Sequence, residues 1–387
     1  MPLVDLTPLQ TGDLVPPFCL PDQDGKLREI HLYAGRITVL SFLPAQNETF
    51  LAQYLGAVAQ RENEVSSGDF SLLSIMNAGQ EQLRDIKARY NTSKLGLTQL
   101  YWSDEQRKVS GMFGIADTLK ASGTAFVLSR NHQILACITS HDGADMLAQV
   151  IACVKQLPKP AQQVIDPSHA IHPPVLVVPE AISPALQQEL LSYWQNGQKY
   201  QGGIGADGNE KVVLSGKRRM DADIHDTALL TRIDQTLSKR VFMELRKTAG
   251  VQITHRERYK IGAYDSEDKG FYNQHRDTGK HLGFRRYSMS LSLSSEYEGG
   301  LLQFPEYNFC AYRLPARYAA VFPSTLLHGV TPVTSGKRFV MVSFFYTDAE
   351  AATRTGNSNE GMKLLCDPRA YDVELSNTLY TNSPYEK

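Results

Sequence analysis

The chain has 387 residues, 42% of them hydrophobic, which is enough apolar surface for more than one core. Forty basic residues balance 41 acidic ones, giving a net charge of −1, so nothing electrostatic calls for nucleic acid or an anionic membrane as partner. The first residues, MPLVDLTPLQTGD, lack a basic and apolar leader pattern, no apolar run reaches membrane-spanning length, and the five cysteines form no CxxC pair. These features predict a soluble protein of a reducing compartment, the cytoplasm.

Residues 1–157 alternate two patterns. ITVLSFL (37–43) and FSLLSIM (70–76) are short apolar runs of buried-strand type, and residues 125–140 read as two strands around a polar turn at Arg130-Asn131-His132. FLAQYLGAVAQREN and QEQLRDIKARYN carry helical spacing, so the segment is expected to be an α/β layer. A linker follows at 158–175, rich in proline; His169 and His172 within it are read as solvated. From 176 to 348 a second domain is expected. Ser183 and Pro184 open a helix, a longer helix covers roughly 226–249, and a series of short strands follows. Residues 349–387 read as a polar tail.

The chemistry concentrates in FYNQHRDTG (271–279). On a strand, His275 and Asp277 share one face and Arg276 points away. An imidazole and a carboxylate side by side are two ligands for a divalent metal, and His328 in STLLHGVTPV offers a third. Two histidines and one carboxylate on one face of a metal form the facial triad of non-haem Fe(II) oxygenases. After His328, HGVTPVTSGKR reads as a hairpin that would place His328 and Arg338 on one inner face. The planar fork of Arg338 suits a carboxylate, with Lys337 as the outward-pointing alternative.

RYKIGAY, HRD, YEGGLLQFP and HGVTPVTSGKR together resemble the prolyl 4-hydroxylase-type Fe(II)/2-oxoglutarate dioxygenases, over roughly 176–348. The resemblance implies a double-stranded β-helix (jelly-roll) core with flanking helices. It implies iron bound by His275, Asp277 and His328, and 2-oxoglutarate held through its C5 carboxylate by Arg338. Tyr259 matches a position that contacts the co-substrate, and Ser290 and Ser292 are expected to line its pocket. The implied reaction uses O2 and hydroxylates an organic substrate, a peptidyl side chain or a small molecule, with release of succinate and CO2. Related halogenases have a small residue where this chain keeps Asp277, so hydroxylation is the expected outcome.

Other readings are weaker. HRD opens the protein-kinase catalytic loop, but the leucine and asparagine that follow there are missing. GIGADG (203–208) is a glycine-rich loop with no preceding strand, and His281 is out of register for a ligand. Lys217-Arg218-Arg219 reads either as a grip for an anion or as a solvated run paired with Asp221 and Asp223.

The first domain resembles a peroxiredoxin of the thioredoxin fold, from TGDLVPPFCLPDQDGK onward. The family's reactive cysteine would fall at Leu51 or Ala52, and its arginine before the Thr-Phe strand is absent, so no peroxidase activity is expected. Cys19 reads as a small buried hydrophobe. The domain is expected to serve oligomerisation or substrate presentation. The rival functions are a catalytically inactive scaffold and a thiol-redox enzyme using a displaced cysteine.

Overall fold

The computed structural model describes residues 8–65, 70–90, 101–158, 172–204, 211–279, 282–307, 311–354 and 362–365. The described residues up to 158 form one compact unit and those from 172 onward another. The linker between 159 and 171, with His169, and His281 lie outside the described residues.

In the first unit β1 (Cys19–Pro21) pairs with β2 (Leu27–Glu29). The core sheet holds β3 (Ile37–Leu43), β4 (Phe70–Met76), β5 (Tyr101–Ser103), β6 (Gly123–Leu128) and β7 (Ile134–Ser140) in the order β5-β4-β3-β6-β7. β3 is buried along its whole length, which is why its apolar residues do not alternate with exposed polar ones and even Thr38 and Ser41 are buried. It runs parallel to β4 and antiparallel to β6, the mixed pattern of a thioredoxin-like sheet. Helices Glu48–Gln60 and Gly143–Gln156 pack on it, each started by an asparagine or aspartate cap, Asn47 or Asp142, that accepts a backbone N–H of the first turn.

The second unit begins with β8 (Leu176–Val178) and the helix Pro184–Asn196, capped by Ser183. β9 (Tyr200–Gln201), β10 (Lys217–Arg218) and β11 (Met220–Asp223) precede the next helix. That helix runs Thr227–Leu237, passes through a π-helical turn at Ser238–Phe242, and continues as Met243–Ala249 to Gly250 in the left-handed region. Then come β12 (His255–Arg256), β13 (Lys260–Asp265), β14 (Phe271–His275), β15 (Tyr287–Ser292), β16 (Tyr297–Gly299), β17 (Leu302–Gln303), β18 (Ala311–Tyr312), β19 (Ala319–Pro323), β20 (His328–Val330) and β21 (Val333–Tyr346). Two sheets form the jelly roll. The smaller is ordered β10-β14-β20-β17-β18, and the larger runs β8-β19-β15-β21-β13-β11-β9.

Strand alternation divides the larger sheet into two faces. Tyr259, Ile261, Met289, Leu291, Met341 and Phe345 pack with the helices in one core. Tyr264, Val340 and Phe322 belong to the core between the sheets.

Two expectations are corrected here. His328 and Arg338 do not sit on a hairpin. β20 belongs to the small sheet and β21 to the large one, so the chain crosses between sheets at Thr331-Pro332. The second unit also extends past residue 348. The helix Asp348–Thr353 follows β21 under a Thr347–Glu350 capping box, and β22 (Met362–Lys363) pairs with β12.

Candidate metal and co-substrate site

β14 and β20 lie side by side in the small sheet, which sets His275 opposite His328. The chain then leaves β14, and the Asp277 backbone N–H donates to the Ser324 carbonyl at 3.0 Å. This anchors the carboxylate between the two imidazoles. Asp277 Oδ1 is 3.3 Å from His275 Nε2, and Oδ2 is 3.3 Å from His328 Nε2. One ligand atom from each of the three lies within 4.8 Å of the others.

The far side of each ring fixes its tautomer. His275 Nδ1 lies 2.8 Å from the Asn273 carbonyl, and His328 Nδ1 lies 3.0 Å from that of Leu326. A carbonyl only accepts, so each Nδ1 carries the proton and each Nε2 presents a lone pair. Burial holds His328 below its ordinary pKa, against the pull of Asp277. Burial alone would raise the Asp277 carboxyl, but the neighbouring His328 and His275 and the hydrogen bond from Ser288 hold it well below the usual carboxylate range. At neutral pH the set therefore offers a neutral imidazole and a carboxylate, which suits a divalent metal. Ser288 Oγ donates to Asp277 Oδ2 at 2.7 Å and meets Ser324 Oγ at 2.9 Å. Ser288→Ala is expected to weaken metal affinity by about 10- to 100-fold, as loss of a group that orients a ligand does. A fluorescence-quench titration with Fe(II) or Mn(II) measures it.

Arg338 occupies the same cavity, which has a volume of about 110 Å³. Arg338 is 2% exposed, and its guanidinium lies 5.2 Å from the Tyr264 ring. Nη2 reaches Ser290 Oγ at 3.4 Å, while Nε and Nη1 have no hydrogen-bond partner among the described residues. Unpaired buried donors are costly, so this arrangement is suited to a ligand carboxylate that takes both. The paired glycines make it fit. Gly300 has φ +59°, and a Cβ there would fall 2.9 Å from Arg338 Cδ; one on Gly299 (φ +70°) would meet the Pro332 carbonyl at 2.2 Å.

The structure thus brings together His275, Asp277, His328, Arg338 and Ser290 around one cavity. Tyr259 is elsewhere, a correction to its expected contact. It has the parity of the helix-facing residues, and its hydroxyl donates to Asp234 Oδ1 at 2.8 Å. Tyr264, of opposite parity, lines the cavity instead, and Gly262 between the two leaves room on that face for the Arg219 side chain. Ser292 is also displaced from its expected role. It is buried, donates to the Ser294 carbonyl at 3.0 Å, and does not line the cavity. Lys337 points outward to Asp265 at 2.7 Å. Lys217 and Arg219 are not a solvated run: alternation buries both and leaves Arg218 exposed.

The position of the peroxiredoxin nucleophile holds no sulfur. Leu51 is packed in the core and Ala52 is exposed, both in the helix after β3. Cys19 is half-buried, short of the full burial expected. Burial raises the thiol pKa of Cys19, Cys137 and Cys153 alike, the opposite of an activated thiolate.

Comparison with known proteins agrees with both units. Residues 259–346 match the family model of the 2OG-Fe(II) oxygenase superfamily, and residues 11–172 match that of the AhpC/TSA family. A PKHD-type hydroxylase from Idiomarina loihiensis is 29% identical over 155 residues, 39% of this chain and 65% of that protein. A second, from Hyphomonas neptunium, is 38% identical over 69 residues, 18% of this chain and 31% of that protein. The chain therefore spans less than two thirds of either relative. Among solved structures, a Pseudomonas putida prolyl-4-hydroxylase aligns at 16% identity and TM-score 0.36, covering 47% of this chain and 95% of that one. A peroxidoxin from Mycobacterium tuberculosis aligns at 19% identity and TM-score 0.34, covering 39% and 99%.

Proposed function

We propose, for a chain that carries a 2OG-Fe(II) oxygenase domain behind an AhpC/TSA-type domain, that it is an Fe(II)- and 2-oxoglutarate-dependent hydroxylase of an organic substrate. One observation carries the reading: the His275–Asp277–His328 triad and the two unmatched donors of Arg338 share one cavity. When bound, iron with 2-oxoglutarate and O2 supplies the oxidising chemistry, with succinate and CO2 as co-products. The chain's part is to hold and orient. His275 and His328 present Nε2, Asp277 supplies the compensating charge, and Ser288 fixes its carboxylate. Arg338 takes the far carboxylate of the co-substrate, and Phe322, Val330 and Val340 keep that part of the cavity apolar.

The domain limits we propose are 1–157 for a redox-inactive peroxiredoxin-like domain that presents substrate or joins copies of the chain, and 176–348 for the core of the oxygenase. No helix among the described residues is long and apolar enough to cross a membrane. Cytoplasmic placement is supported by the scattered cysteines.

The test is an anaerobic titration of the apo-protein with Fe(II) and 2-oxoglutarate, following the visible charge-transfer band of the chelate. A band in the parent that is absent in His275→Ala is the expected result. No band from a folded protein would end the enzyme reading in favour of the scaffold. For the first unit, alkylation at neutral pH is expected to show no thiol reacting faster than a free cysteine. A fast-reacting thiol would revive the redox alternative.

A further inference from the structure

The carboxylate of the metal triad is not carried by a strand. β14 ends at His275, so its ladder stops short of Asp277 and does not fix the backbone there. Groups from elsewhere do so. The Asp277 N–H donates to the Ser324 carbonyl, and the Asp277 carbonyl accepts from Arg285 Nη1 at 3.1 Å. Arg285 stands eight residues further along, just before β15. The bond therefore closes the loop between the two strands onto its own start.

Arg285 is itself held in place. Nε and Nη2 donate to Glu257 Oε1 and Oε2 at 2.5 and 2.7 Å, the two-pronged geometry that sets a guanidinium plane. The guanidinium lies 3.7 Å from the centre of the Phe344 ring on β21. Glu257 is anchored in turn. Its N–H donates to the Phe344 carbonyl at 2.9 Å, and its carbonyl accepts from Ser343 Oγ at 2.9 Å. The Arg285 and Glu257 side chains are 10% and 6% exposed, so the pair forms away from bulk water. On either side of Arg285, Phe284 meets Tyr346 edge-on at 5.1 Å and Arg286 pairs with Glu350 at 2.6 Å. The loop thus docks around the arginine onto β21 and the helix Asp348–Thr353.

We infer that Arg285, braced by Glu257, is a positioning residue for the metal, holding the Asp277 backbone where its carboxylate completes the triad. The contribution is one of geometry. Glu257 offsets the charge of the guanidinium, so the pair adds little net field at the metal. With Nε and Nη2 engaged by Glu257, Nη1 is aimed at the Asp277 carbonyl. A lysine ammonium has no planar fork and cannot reproduce that arrangement. The inference rests on the metal-site reading and deepens it.

The experiment compares the full-length parent with Arg285→Met and with the double variant Glu257→Leu/Arg285→Met. Co(II) replaces Fe(II), because its visible d–d bands report ligand geometry. The double variant removes both charges and leaves neither buried alone, so it keeps the fold where the single one strains it, and urea unfolding checks this. Both variants are expected to bind Co(II) about tenfold more weakly or worse, with altered d–d bands, as loss of a group that orients a ligand implies. In the apo-proteins, amide exchange around Asp277 is expected to quicken while that of β13 stays as in the parent. A double variant with parental affinity, bands and exchange would overturn the inference and leave the pair a structural one. Recovery of affinity and bands in Arg285→Lys would overturn the geometric role. Normal Co(II) binding with weakened 2-oxoglutarate binding would do so too, since Arg285 would then touch a ligand. If the parent itself binds no Co(II), the metal-site reading is what fails. Exchange in the apo-proteins then still decides whether Arg285 holds Asp277, with an unchanged rate counting against it.

Discussion

Arg338→Met is expected to raise the 2-oxoglutarate needed for half-formation of the chelate by roughly two to three orders of magnitude. Truncating one partner of a buried, hydrogen-bonded charge pair costs about 2–5 kcal/mol, and each 1.4 kcal/mol is tenfold. Fe(II) affinity should stay close to that of the parent, because Arg338 touches none of the three metal ligands in the structure. Arg338→Lys should recover part of the loss, since an ammonium keeps the charge but gives up the two-pronged geometry. The anaerobic titration reads both quantities. An unchanged 2-oxoglutarate requirement in Arg338→Met would move the carboxylate to another cation of the cavity.

The second large effect is on stability. Asp234→Ala is expected to destabilise the second unit by about 3–5 kcal/mol, the usual cost of breaking a fully buried ion pair. Asp234 and Arg256 are both 0% exposed and are joined at 2.7 and 3.2 Å. The same carboxylate accepts from the Tyr259 hydroxyl and, at 3.0 Å, from the Leu365 backbone N–H. It therefore ties the helix Thr227–Leu237 to β12, to the residue before β13 and to the segment just after β22. Tyr259→Phe removes only one of these bonds, so it should cost about 1 kcal/mol and leave 2-oxoglutarate binding untouched. Urea unfolding, paired with the chelate titration, checks both variants. A Tyr259→Phe protein of normal stability but weakened co-substrate binding would restore Tyr259 to the cavity.

Most of the triad could be read from the sequence because two of its members lie two residues apart, although β14 ends at His275 and Asp277 sits just past the strand and not on it. Arg338 was legible for the same reason. What parity along one strand cannot reveal is which sheet a strand joins. The crossing at Thr331-Pro332 separates His328 from Arg338 by a change of sheet, and no periodicity marks it. Tyr259, just before β13, and Tyr264, on it, pack in different cores, so motif position favoured the first while geometry selects the second. The small residue at Gly262 was the available hint, since it makes room only on the cavity face. The burial of Lys217 and Arg219 was hidden because a short alternating charged run has the same composition whether it faces water or a cavity.

The passage of the chain from β20 to β21 has one more consequence. His328 and Arg338 belong to a single unbroken stretch of backbone that spans the two sheets. Their separation is therefore held by a short covalent strap, with Gly336 (φ +70°) and the Gly299-Gly300 pair pinning its path. That makes the cavity a gauge of length. A keto-diacid one methylene shorter or longer than 2-oxoglutarate would fall short of the guanidinium or crowd it while its keto end sat on the metal. Selectivity among such acids would then be set by the backbone between residues 328 and 338 more than by any side chain lining the cavity.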